Sequence, residues 1–272
     1  MNVAAPASGS TAAALEAREL GHSYGARTVL GRIDFAVARG EFVCIVGPSG
    51  VGKTTLLRCL AGLQRSTRGD IVVDGTVVRE PQSGVAVVFQ DYSRSLMPWS
   101  SVLHNITLPL RANGVRKPDA EKRARLALSQ VGLKEAVADQ YPWQLSGGMQ
   151  QRVAIARALA YDPTVLLMDE PFASVDAQTR ADLEDLVRRL QRELSLTVLL
   201  VTHDIDEAVY LSDRVVALSG SPAHVADIVD VPLGSSRDQI ETKSTPEFAE
   251  IRARVHNLVR QAVGSAKDAL TS

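Results

Sequence analysis

Gly47-Pro48-Ser49-Gly50-Val51-Gly52-Lys53-Thr54 decides the fold of this chain. Residues 41–46, Glu-Phe-Val-Cys-Ile-Val, precede it as an apolar run short enough for one buried strand. Residues 55–61 follow it and read as a helix, with Gly62 as its stop. A strand, a Gly-rich loop and a helix in that order make G-x-x-x-x-G-K-[ST] a phosphate-binding loop. Gly50 and Gly52 let backbone N–H groups turn inward where a Cβ would stand in the way. A helix opening near Lys53 aims unpaired N–H groups and its positive dipole end at the phosphates. Lys53 neutralises β/γ oxygens and the Thr54 hydroxyl is suited to ligate Mg²⁺. The cradle expected is Gly47, Pro48, Ser49, Gly50, Val51, Gly52, Lys53 and Thr54, with Thr55 opening the helix.

A second stretch is Gln144-Leu145-Ser146-Gly147-Gly148-Met149-Gln150-Gln151-Arg152. A Ser and two glycines open a helix whose face carries Val153, Ile155, Ala156 and Leu159. That is another helix N-terminus built to receive an anion. One nucleotide already has its cradle, so a second anion site needs explaining, and one explanation is that it faces a phosphate held elsewhere. A second chain carrying the same loop would provide it.

On these residues the chain resembles the ATP-binding subunits of ABC (ATP-binding cassette) transporters, whose signature LSGGMQQR matches closely. The match runs from about Tyr24 to Val216. The resemblance implies an α/β fold: a P-loop core with a largely parallel sheet, a small antiparallel β subdomain and an inserted α-helical subdomain. It implies ATP and Mg²⁺ as the bound species, and a homodimer in which Ser146, Gly147 and Gly148 of one copy close over ATP on the other. The cassette is expected over 15–231, with its helical part at about 92–160. A disordered lead-in over 1–14 and a C-terminal helical extension over 232–272 complete the expectation.

Composition sets the outer bounds. The 272 residues are 45% hydrophobic, enough to bury a core as one large domain or a domain with a subdomain. Thirty basic residues face 31 acidic ones, so no basic excess points to a nucleic-acid partner. Cys44 and Cys59 flank the loop in apolar settings and read as reduced, buried thiols of a cytosolic chain. No apolar run approaches the roughly 18 residues that span a bilayer. The opening segment has no positive charge before its apolar part, so it reads as no secretory signal. Any membrane role is therefore expected to come through a partner.

The remaining candidates follow in chain order. Residues 16–46 alternate apolar and polar about a turn at Tyr24-Gly25-Ala26-Arg27, an antiparallel pair. Tyr24 matches the aromatic that stacks on adenine in the family, although a turn aromatic also shields a sheet edge. Two short β-rich runs follow, over 69–75 and 85–89, and the second ends at Gln90-Asp91. By resemblance Gln90 contacts Mg²⁺ and the attacking water. Ser95-Leu-Met-Pro-Trp99 places Met97 and Trp99 either in the core or in a groove that grips a helix of a membrane partner. Gly114 and Pro118 punctuate the short amphipathic helices beyond it.

Residues 164–168 are an apolar strand that ends in Asp169-Glu170-Pro171. Two carboxylates there have distinct uses: Asp169 holds Mg²⁺ through its water shell, and Glu170 accepts a proton from the attacking water. Ser174-Val175-Asp176 has Val175 where the family commonly has leucine, and the resemblance gives Asp176 a dimer-contact role. Residues 177–194 read as an amphipathic helix and 197–201 as a buried strand delivering Thr202-His203-Asp204. His203 matches the switch histidine that touches the γ-phosphate; His22, His104, His224 and His256 read as solvated or packed. Residues 219–245 read as strands and loops, and 246–262 as an amphipathic helix.

The phosphate loop and signature would serve an importer motor, an exporter motor or a soluble cassette acting on DNA or the ribosome. The last usually carries two cassettes, a coiled coil or a basic patch, and none is present. Residues 89–99 with Asn105 resemble the nitrate, sulfonate and taurine importer group. That implies two transmembrane permease subunits, an extracytoplasmic substrate-binding protein, and a place at the cytoplasmic face of the plasma membrane.

Overall fold

A computed structural model of the chain describes residues 13–91 and 95–271. The core strands are β3 (Phe42–Val46), β7 (Val165–Asp169) and β8 (Thr197–Val201), and every residue in them is buried. Parallel strands covered on both faces favour apolar side chains, so these stretches are apolar with their polar residues, Asp169 and Thr197, confined to strand ends. Val43 and Ile45 pack toward one face of the sheet and Cys44 and Val46 toward the other, as a two-residue period requires.

The sheet has ten strands among the described residues. The others are β1 (Ala13–Tyr24), β2 (Arg27–Ala38), β4 (Arg68–Val73), β5 (Thr76–Val78), β6 (Val85–Val88), β9 (Arg214–Ser219) and β10 (Ala223–Asp230). Their order is β5-β4-β1-β2-β10-β9-β3-β8-β7-β6. From β9 through β3, β8 and β7 to β6 every pairing is parallel, whereas β1, β2, β4 and β5 pair antiparallel. The α/β fold expected from the sequence is therefore observed, with the antiparallel arm continuous with the core. Strand β10 makes that join, antiparallel to β9 and parallel to β2. β1 begins at Ala13 and Ala14 is buried, so the lead-in expected over 1–14 gives up its last two residues to the sheet. Residues 1–12 lie outside the described residues.

Helix α1 (Lys53–Leu60) is sandwiched between the arm and the core sheet, burying Leu56, Leu57 and Leu60 against Leu15, Ile33 and Ile45. On the opposite face lie α2 (Val102–Ala112), α3 (Lys117–Gln130), α4 (Gly147–Leu159), α5 (Ala177–Glu193), α6 (Ile205–Leu211) and α7 (Pro246–Thr271). α7 anchors itself by burying Phe248 and Val255. The buried Arg237 guanidinium donates to the Tyr210 and Ser212 carbonyls at 2.6 and 2.9 Å, satisfying the C-terminal end of α6.

The conformation at Met97 and Trp99 is set by Asn105, which is 1% exposed. Its side chain accepts from Met97 N–H at 2.7 Å and donates to the carbonyls of Met97, Ser100 and Ser101. The bend it holds leaves Met97 half-buried and Trp99 76% exposed. Tyr92, Ser93 and Arg94 of the same stretch lie outside the described residues.

Candidate functional site

Parallel β3, β6, β7 and β8 end along one edge, so the chain leaves each of them toward the same crevice. Open α/β sheets bind ligands at such an edge. Gly47 follows β3, Glu170 follows β7 and His203 follows β8 at a distance of two residues. Gln90 sits just past β6.

Gly52 caps α1 in a left-handed conformation (φ 111°), and a Cβ there would lie 3.0 Å from side-chain carbons of Val29 and Leu30. Conformation and close approach together demand glycine. Lys53, 6% exposed, donates from Nζ to the carbonyls of Gly47 and Pro48 at 2.9 and 3.2 Å. Burial lowers its pKa, while the negative charges of Glu170 and Asp169 act the other way. The cleft over the loop has a volume of about 520 Å³. Tyr24, Ser49, Gly50, Gly52, Lys53, Thr54, Thr55 and Glu170 line it. Arg27 and Val29, which line it too, were not singled out from the sequence. Arg27 was legible only as the last residue of the Tyr24 turn. Tyr24 is half exposed, stands edge-on to His22 at 4.6 Å, and donates its hydroxyl proton to Gln64 at 2.9 Å. His22 itself is buried, with Nδ1 3.0 Å from the Arg65 carbonyl.

The two acids at the end of β7 sit in different surroundings. Asp169 is 5% exposed and accepts from the Thr54 hydroxyl at 3.2 Å. Burial pushes its carboxyl upward, opposed by that hydrogen bond and by Arg58 and Lys53. Glu170 is more open and has φ 41°, a left-handed backbone that costs a non-glycine residue about 1–3 kcal/mol. Its N–H is fixed to the Val201 carbonyl at 2.8 Å. This backbone aims Oε2 at two donors: Gln90 Nε2 at 3.2 Å and His203 Nδ1 at 3.0 Å. Residues from three separate strand ends thus meet on one carboxylate oxygen.

A magnesium ion suits this donor set. Thr54, Gln90 and Asp169 offer only oxygen ligands of the hard kind, and magnesium takes one or two carboxylates with substrate phosphates and water for the rest. Among the described residues no three His, Cys, Asp or Glu side chains form a complete protein cage.

The second helix N-terminus lies elsewhere. Ser146 caps α4 by accepting from Met149 N–H at 3.3 Å, and Ser146 and Gly147 are exposed. Asp176 caps α5, accepting from Thr179 N–H at 3.0 Å and from its hydroxyl at 2.7 Å. Those bonds hold the Asp176 carboxyl below its ordinary value. None of Ser146, Gly147, Gly148 and Asp176 lines the phosphate-loop cleft of its own chain. Gly148 has a packing reason the sequence concealed, because a Cβ there would stand 2.4 Å from Thr179 Cγ2. Gly148→Ala is expected to lower unfolding stability in urea by about 1–3 kcal/mol, the usual cost of overpacking. Adding Thr179→Ser, which removes the clashing methyl and keeps the cap hydroxyl, should restore most of it. Equal stability of wild type and Gly148→Ala would contradict this packing.

A family model described as "ABC transporter" matches residues 30–173. The chain is 47% identical over 234 residues to an uncharacterized ABC transporter ATP-binding protein, MJ0412, of Methanocaldococcus jannaschii. That alignment covers 86% of this chain and 85% of the relative. It is 43% identical over 250 residues to the aliphatic sulfonates import ATP-binding protein SsuB 2 of Burkholderia cenocepacia, covering 92% and 88%. With the bicarbonate transport ATP-binding protein CmpD of a Synechocystis strain the figures are 39% over 259 residues, 93% and 91%. Among solved structures, the dimeric post-hydrolysis state of the ATP-binding cassette MJ0796 bound to ADP and Pi superposes with a TM-score of 0.70. It is 31% identical and covers 80% of this chain and 98% of that one.

Proposed function

This chain belongs to the ABC transporter family, and we propose that it is the ATP-hydrolysing motor subunit of a membrane importer. One observation carries the ATPase reading: the Glu170 carboxylate, held by Gln90 and His203, stands beside the Thr54–Asp169 pair at the rim of the phosphate loop. The loop amides, Lys53, Thr54 and Thr55 bind the phosphates of ATP, and Tyr24 stacks on its adenine. Glu170 accepts the proton of the attacking water, Gln90 orients that water, and His203 stabilises charge spreading over the γ-phosphate. Thr54, Gln90 and Asp169 would hold a magnesium ion, which would supply neutralisation of the phosphate oxygens.

Ser146, Gly147, Gly148 and Asp176 serve the ATP of a second copy. Their absence from the cleft lining of their own chain, the exposure of Ser146, Gly147 and Asp176, and the dimeric form of the MJ0796 cassette support that reading. Among the described residues no helix is long and apolar enough to cross a membrane, which supports coupling through two separate permease subunits. The motor then lies at the cytoplasmic face of the membrane, and an extracytoplasmic binding protein delivers the solute to the permease. The solute is a small anion such as an alkanesulfonate, taurine or nitrate, and the aliphatic-sulfonate name of the SsuB 2 relative supports the first of these. The bicarbonate name of CmpD at similar identity widens the class to small anions generally.

The exposed Trp99, on the bend pinned by Asn105, is assigned to gripping a permease helix. Trp99→Ala is expected to leave the ATPase rate of the isolated subunit within about twofold of wild type and to cut solute uptake at least about tenfold. Reconstitution with the permease and binding protein, fed sulfonate, taurine, nitrate or bicarbonate in turn, provides the measurement. Equal uptake by both forms would return Trp99 to plain surface. No stimulation by any of the four anions would remove the solute class and leave the ATPase standing.

A further inference from the structure

Behind the Glu170–His203 pair lies a small polar cavity of about 30 Å³, walled on its far side by Arg180, Thr202, Asp204 and Glu207. Glu207, in α6, is 5% exposed. Among the described residues its Oε1 has no hydrogen-bond partner, and neither has Arg180 Nε, a buried donor on the same cavity. The groups around them are tied to one another. Asp204 N–H donates to Thr202 Oγ1 at 2.9 Å, and Thr202 lines the cavity together with Glu207. Glu207 N–H donates to Asp204 Oδ1 at 3.1 Å, and Arg180 Nη1 donates to Asp204 Oδ2 at 3.2 Å. His203 is carried between two members of this network, Thr202 and Asp204. A polar space of this size accommodates a water, and two buried groups without partners are what such a water satisfies.

We propose that Glu207 is a positioning residue: with one trapped water shared with Arg180, it braces the turn that aims His203 at Glu170. The inference rests on the ATPase reading of that pair. Burial, reinforced by Glu184 and Asp204, pushes the Glu207 carboxyl from its ordinary 4.5 up to about 8, so at neutral pH it is an uncharged acid. The groups facing it are Arg180 and Glu184 of α5, Thr202 and Asp204 at the start of its own helix, and Glu170 and His203 across the cavity. From β3 comes the Cys44 thiol, which burial and then Glu207 push up. Lys243 pairs with Glu184 at 3.4 Å and stands 4.7 Å over the Tyr210 ring, and Arg252 of α7 pairs outside with Asp206 at 3.1 Å. Ionised, Glu207 would leave Arg180 to serve two carboxylates, and their repulsion displaces the turn.

The test compares full-length wild type, Glu207→Gln and Glu207→Ala. Phosphate release is followed from about pH 6 to pH 9.5, and thermal unfolding is followed without nucleotide over the same range. The wild-type rate should fall at least about fivefold above pH 8, while the Gln variant, which mimics the uncharged acid, holds its neutral rate. The Ala variant should be roughly tenfold slower throughout, with rescue by Gln marking a positioning role. The folded-state pKa is raised, so the stability Glu207 contributes is present below 4.5 and is lost as pH rises through about 8. The unfolding midpoint of Glu207→Gln should therefore climb relative to wild type as the pH approaches 8, and then stay level. An alkaline fall that survives in the Gln variant, a wild type with no fall, or midpoints running parallel with pH would each overturn the proposal. A wild type with no ATPase at any pH would defeat the functional reading instead, and the unfolding comparison would still decide the state of Glu207.

Discussion

Glu170→Gln is expected to bind ATP as wild type does and to release phosphate at least about 100-fold more slowly, the scale on which a general base acts. The variant keeps the left-handed backbone, the Val201 hydrogen bond and the side-chain shape, so what it loses is the ability to accept a proton. ATP should then hold two copies together, and size exclusion with ATP should show a dimer that does not decay during the run. Turnover within a few-fold of wild type would remove Glu170 from the chemistry and leave its contacts with Gln90 and His203 as packing.

Lys53→Ala has a large effect of a different kind. The ammonium is buried and already anchored to Gly47 and Pro48, so its charge sits in the loop at little further entropic cost. Deleting it should weaken ATP binding roughly 10- to 100-fold, from the loss of charged hydrogen bonds to phosphate. Ser146→Arg should do the opposite: single-chain ATP affinity stays within about twofold, because residue 146 lies off its own cleft. Hydrolysis should fall at least about 100-fold, since a bulky cation jams the closing face. Calorimetry on monomeric protein separates the two; equal loss of affinity in both would place residue 146 in the cleft of its own chain.

The parts of the molecule legible in the sequence are those where one constraint acts on every residue. β3, β7 and β8 are buried on both faces, so each is apolar along its length except at an end, and the groups they deliver stand at their ends. α5 was legible because Leu183, Leu186, Val187 and Leu190 share one stripe. β10 was not distinguished from its loops because its inner and outer positions alternate irregularly around His224 and Asp227. The closeness of Gly148 to Thr179 joins positions 31 residues apart (179 less 148), and no local pattern announces it. Arg237 reads as a surface cation by composition, yet it lies buried on the carbonyls of α6; burial lowers its pKa to about 10. Glu207 is hidden in the same way, an acid in a charged run that the fold turns inward.

The claim on which the account turns is that each catalytic site is built by two copies, and a mixing experiment tests it most directly. Lys53→Ala and Ser146→Arg proteins should each show little activity when assayed alone. In a dimer of one with the other, the intact loop of the Ser146→Arg copy faces the intact signature of the Lys53→Ala copy, and one of two sites is whole. An equal mixture should recover roughly a quarter of the wild-type phosphate-release rate, since about half of the dimers are mixed and each has one working site. A mixture no more active than its two components would contradict the shared site.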